Sequence, residues 1–200
     1  MSSQPQRRYS LDDYFAVEAM SVTKHEYYRG EIFAMAGASL EHNRVTLSVL
    51  TSLRNALRGA RCEAFGSDLR IGTPSGLYTY PDVSVICGGV KLLPDRPDTA
   101  TNPVLLIEVS SVATRDYDRG EKFALYKTIP TLREYVLIDA DRPLLEQFSK
   151  SGSGAWRLHT YRSLADVVSL ASVDVEVSLQ EAYRRNPPRP RQLRRGRGLG

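Results

Sequence analysis

Cysteine is scarce in this 200-residue sequence, which holds only Cys62 and Cys87. Neither lies in a C-x-x-C pair or at metal-ligand spacing from a histidine, which excludes zinc-ribbon, zinc-finger and thioredoxin-like readings. The two are expected to be reduced, mostly buried thiols. Long apolar runs are missing as well: no stretch approaches the ~20 residues that span a bilayer. The opening segment MSSQPQRRYS lacks the apolar stretch of a secretory signal. A cytoplasmic protein with no membrane partner is the expectation.

Basic character is also lacking in the body of the chain, despite a formal charge of +4. Residues 184–200 (RRNPPRPRQLRRGRGLG) carry seven arginines and no acid. The 27 basic residues less those seven leave 20 against 23 acidic, so the body is about −3. A nucleic-acid function cannot rest on net charge here. The Arg/Pro/Gly-rich tail has no core-forming residues and is expected to be disordered. It is either a solvated extension or a source of nonspecific phosphate attraction. Residues 1–183 then form one domain, with 42% hydrophobic and 25% charged residues overall, as in ordinary globular chains.

The hydrophobic patterning gives a mixed α/β domain. Ser10 caps a short helix over 11–18, with Asp12 and Asp13 in its first turn. Residues 25–36 read as a hairpin turning at Arg29-Gly30. A helix over 39–58 is expected from the spacing of Leu40, Leu47, Leu50, Leu53 and Leu57, with Gly59 ending it. EAFGSDLRI (63–71) and YPDVSVI (80–86) read as strands, and 88–103 as a polar loop. VLLIEV (104–109) is a continuous apolar run, the mark of a central strand buried on both faces. DRGEKFALYKT (118–128) reads as a helix weakened by Gly120 and stopped by Pro130. REYVLID (133–139) is a further buried strand. A hairpin follows over 144–149 and 156–161, then a mixed region with a short helix near 178–183. Strands 80–86, 104–109 and 133–139 are expected at the centre of a mixed sheet flanked by the two longer helices.

The chemistry centres on Glu108, which follows four apolar residues. Burying an unpaired carboxylate costs several kcal/mol or forces it to take a proton. Asp82 poses the same problem within YPDVSVI. If the two meet at ~4 Å in an effective dielectric of ~20, their repulsion is about 4 kcal/mol. A shared Mg²⁺ or Mn²⁺ removes that cost, since hard cations prefer oxygen ligands. Alternatively, each acid reaches water at a strand end. Lys122 shares a helix face with Asp118 and Tyr126 at i, i+4 spacing. It either returns toward the carboxylates, to orient water or stabilise charge on the reacting phosphate, or pairs with Asp118 at the surface. Glu26 is a candidate further metal ligand or water holder. His42 is a possible addition or a structural histidine. Asp68 faces the same cleft or solvent. Lys24, Arg70 and Arg115 are unranked candidates for phosphate contact.

In this order, HEYYRGEIFAMAGAS, His42, SDLRI, YPDVSVI, LLIEVSS, DRGEKFALYKTI and LREYVLID resemble the Uma2 family of restriction-endonuclease-like proteins, within the PD-(D/E)XK nuclease superfamily. The resemblance covers residues 9–183. It implies a restriction-endonuclease-like fold and metal-dependent hydrolysis of phosphodiester bonds, with DNA as the expected partner. By the same resemblance Asp82 and Glu108 bind metal, Glu26 supports metal or water, and Lys122 assists. Two residues after Glu108 the superfamily has lysine and this chain has Ser110, so Lys122 takes that role from the following helix. The alternative is a catalytically degenerate nucleic-acid-binding or interaction module of the same fold. Cutting both strands of a duplex would suit a homodimer.

Overall fold

A computed structural model describes residues 8–184. Beyond Arg184, the expected tail lies outside the described residues.

Helix α1 (Leu11–Met20) starts at Ser10, whose hydroxyl accepts from the Asp13 amide while Asp13 accepts from the Ser10 amide. Strands β1 (His25–Tyr28) and β2 (Glu31–Ala34) form the first hairpin. Its turn places Arg29 at φ 50° and Gly30 at φ 87°, the two positive values that match the twist of a two-residue hairpin. Helix α2 (Leu40–Ala56) follows, capped by the Ser39 hydroxyl. Its buried stripe is Val45, Val49 and Leu53, continued by Leu57. This corrects the leucine stripe: Leu40 and Leu47 lie on the outward face. The valines keep exact i, i+4 spacing with Leu53, whereas Leu40 and Leu47 are rotated off that face.

The main sheet has six strands, in the order β12–β11–β10–β9–β6–β3. Its members are β3 (Cys62–Gly66), β6 (Val83–Cys87), β9 (Pro103–Ser110), β10 (Glu134–Asp139), β11 (Leu145–Lys150) and β12 (Trp156–Tyr161). The expected central trio is adjacent, with β9 parallel to β10 and antiparallel to β6. Strand β9 is buried on both sides because alternate residues enter different cores. Leu105, Ile107 and Val109 pack with α2 and with the hairpin of β13 (Val167–Leu170) and β14 (Val175–Ser178). The last helix, α4 (Leu179–Ala182), joins the same core. Leu106 packs on the other side with Phe123 and Tyr126 of α3, a helical segment over 115–126. By the two-residue period of a strand, Glu108 faces α3 with Leu106.

Three expectations are corrected. The stretch 63–71 is two strands, β3 and β4 (Arg70–Gly72), broken by a turn at Ser67–Asp68. The stretch 88–103 contains β7 (Leu92–Leu93) and β8 (Arg96–Ala100). With β5 (Tyr78–Thr79) these build a second sheet, β2–β1–β5–β4–β8–β7. Such short strands hold their shape through pairing with distant segments, which local propensity does not encode. Finally, Cys62 and Cys87 are not free thiols. They are directly opposed on β3 and β6 and form a disulfide. No spacing rule predicts that partnership, because it arises from sheet register. No helix among the described residues is long and apolar enough to cross a membrane.

Candidate active site

Asp82 precedes β6, and the antiparallel register of β6 with β9 sets it beside Glu108. Its Oδ2 accepts the Val109 amide at 2.7 Å and approaches His42 Nε2, from the first turn of α2, at 3.2 Å. That hydrogen bond raises the His42 pKa against the effect of burial. Glu108 is buried, and its Oε1 accepts the Tyr126 hydroxyl at 2.7 Å and meets Lys122 Nζ at 3.0 Å. Burial pushes its carboxyl up, Lys122 and Tyr126 pull it down, and Asp82 and Asp118 push it further up.

Lys122 is the hub. Besides Glu108 it meets Glu26 at 2.7 Å and Asp118 at 3.8 Å. Burial opposes its charge, but these three carboxylates outweigh burial and raise its pKa. Lys122 therefore stays an ammonium at neutral pH and cannot serve as a base. Its position follows from a local irregularity: residues Asp118–Lys122 form one wide π-type turn between Arg115–Tyr117 and Phe123–Tyr126. Gly120 sits inside it, and such turns are frequent at functional sites. Asp118 is also raised, chiefly by burial. Glu26 comes from β1 in the second sheet, and its Oε1 accepts the Thr79 hydroxyl as well as Lys122. The lysine thus joins the two sheets.

The donor set can be tested against a divalent cation. Among the described residues no group of three or more His, Cys, Asp or Glu side chains is arranged as a metal cage. A two-carboxylate site remains. The hydrogen bonds of Asp82 fall on Oδ2 and those of Glu108 on Oε1, so Oδ1 and Oε2 carry none among the described residues. Two hard oxygen donors suit Mg²⁺, which is commonly held by one or two carboxylates together with water and substrate phosphate. Glu26 is engaged with Lys122 and Thr79 rather than grouped with these two acids.

Residues 11–181 match the family profile Uma2, described as "putative restriction endonuclease". The chain belongs to the Uma2 family. Two relatives come from Synechocystis sp. (strain ATCC 27184 / PCC 6803 / Kazusa). The uncharacterized protein slr1290 is 35% identical over 185 residues, covering 91% of this chain and 95% of its own. The uncharacterized protein sll1609 is 37% identical over 147 residues, covering 73% and 83%. In three dimensions the chain resembles the crystal structure of a putative nuclease belonging to DUF820 from Anabaena variabilis ATCC 29413. The TM-score is 0.68 at 16% identity, over 82% of this chain and 91% of that one. That likeness shows a shared fold.

In this Uma2 chain, Asp82, Glu108, Lys122, Glu26 and His42 form one connected cluster. Asp68 does not join it: its side chain is 96% exposed and pairs with Lys24. Lys24 is occupied by Asp68 and Ser67. Arg70 is buried among Tyr80, Thr99, Glu18 and Asp98, so it is a structural residue rather than a phosphate contact. Sequence reasoning noted Tyr126 only as a neighbour of Lys122, and the i, i+4 step was the signal that both reach Glu108.

Proposed function

We propose that this Uma2 protein is a divalent-metal-dependent endonuclease that hydrolyses phosphodiester bonds in DNA. One observation carries this reading: Asp82, one residue before β6, lies beside Glu108 of the adjacent strand β9 at one end of the main sheet, close enough to act on its charge, with a buried lysine against Glu108. Family membership supports it. A divalent cation, Mg²⁺ or Mn²⁺, held by Asp82 Oδ1 and Glu108 Oε2 would supply Lewis acidity toward the phosphoryl oxygens.

The protein's own groups prepare this chemistry. The Val109 amide and His42 hold Asp82 Oδ2, which leaves its other oxygen for the cation. Tyr126 and Lys122 do the same for Glu108. Lys122, kept charged by its three carboxylates, supplies a fixed positive field where negative charge grows on the phosphate. Glu26 holds Lys122 in place and balances it. Ser110 stands where the superfamily has lysine, and the ammonium comes instead from α3.

The test is Mg²⁺-dependent nicking of supercoiled plasmid, run beside a Glu108→Ala variant purified identically. The wild type should nick only with the cation, and the variant should be inactive. Cleavage that survives the substitution would overturn the site.

A further inference from the structure

Asp139 ends β10 as Glu108 nearly ends β9, and the parallel register pairs Asp139 with Ser110 and Leu137 with Glu108. Leu137 packs in the core beneath α3, so by strand alternation Asp139 lies on the same face as Glu108. It sits one strand across and two residues further along, roughly 5 Å and 7 Å respectively. Its side chain is 2% exposed, and two guanidinium groups close on its Oδ2: Arg115, from the start of α3, and Arg142 at 2.9 Å. The Asp141 amide fills Oδ1.

Arg142 spends only Nε on this carboxylate, and its side chain is 59% exposed. Both of its Nη groups carry no hydrogen bond among the described residues. Arg115 spends Nη2 and is one-quarter exposed. Two forks are therefore anchored by one buried acid, with donors left to face solvent at the end of the sheet where Asp82 and Glu108 meet. One carboxylate holds both guanidinium groups, so the donors they do not spend on it are fixed in orientation. A planar guanidinium held this way suits bidentate recognition of a phosphate.

We propose that Arg115 and Arg142, oriented by Asp139, form a clamp for a backbone phosphate of the DNA next to the scissile one. This rests on the nuclease reading, since it names how that site's substrate is held. Only Arg115 of the pair was a candidate from sequence; the shared carboxylate brings in Arg142.

The experiment is fluorescence anisotropy of a labelled DNA duplex in EDTA across a salt series, which removes cation and cleavage from the readout. Arg142→Gln leaves Arg115 on Asp139, so the fold is kept. It should weaken binding about tenfold and make the log–log salt dependence shallower by about one. Arg115→Gln with Arg142→Gln should do more. Arg61→Gln, at the opposite end of the sheet beside Cys62 and Cys87, should leave the slope unchanged. Wild-type binding that Arg142→Gln leaves intact, or loses no more than Arg61→Gln does, overturns the clamp alone. Absence of saturable wild-type binding overturns the clamp, while the nuclease reading itself is overturned only by absence of Mg²⁺-dependent nicking.

Discussion

Tyr126 and Lys122 close on the same oxygen, Oε1 of Glu108, at 2.7 and 3.0 Å. They stand four residues apart on α3, so one helical face fixes one carboxylate. Tyr126→Phe removes the neutral donor and leaves the ammonium. It should lower cation affinity about tenfold, as is usual when a group that orients a metal ligand is lost. It should also cost about 2 kcal/mol of stability, since the lost hydrogen bond leaves a buried acceptor with one partner fewer. Mn²⁺ titration and urea unfolding read the two effects separately; unchanged affinity would mean that Tyr126 only packs.

Lys122→Met leaves Glu26, Glu108 and Asp118 without their shared ammonium. Breaking a buried ion pair from one side costs about 3–5 kcal/mol, and a third carboxylate adds to the repulsion. Urea unfolding in EDTA should show a loss of at least this size. A loss under about 1 kcal/mol would place the cluster in contact with water, where exposed pairs contribute little.

Alkaline pH should unfold the protein through its tyrosines. Burial pushes Tyr80 up to about 12, helped by its hydrogen bond to Glu18 and opposed by Arg70. Burial likewise pushes Tyr183 up to about 12, where its hydroxyl donates to the Asp139 carbonyl. Both folded values lie above the ordinary 10.0, so the fold favours the neutral phenol. Their contribution is complete below pH 10 and is lost as pH rises through 12. Stability measured by urea at stepped pH should fall across this window. Tyr80→Phe should fall less steeply, and an identical slope would contradict the assignment.

The disulfide closes a loop with a sequence separation of 25 residues and ties the edge strand β3 to β6. Reduction should lower stability by about 3 kcal/mol on loop entropy. A Cys62→Ala, Cys87→Ala variant should match the reduced wild type. Equal stability of the oxidised and reduced forms would show that the bond adds no constraint.

Much of the site was legible because burial and charge conflict visibly in VLLIEV and YPDVSVI. The same rule is not selective, however. Glu134 and Asp139 begin and end an equally apolar run and are equally buried, yet neither belongs to the pair formed by Asp82 and Glu108. Glu134 holds Gln147 and Ser172, and Asp139 anchors two arginines. What distinguishes Glu108 is a second acid beside it, and that follows from β6–β9 register, which no local pattern contains. The second sheet escaped for a related reason. Its strands are two to five residues long and are stabilised by partners up to tens of residues away. Asp68 was open between cleft and solvent, because an acid alternating with apolar residues fits either, and its place in the turn between β3 and β4 puts it in solvent.

Calorimetric titration of Mn²⁺ into the metal-free protein, beside Asp82→Asn and Glu108→Gln, tests the shared-cation site most directly. The expected result is one saturable site in the wild type that both substitutions abolish while thermal unfolding remains cooperative. No saturable heat in the wild type, or binding that survives both substitutions, would contradict it.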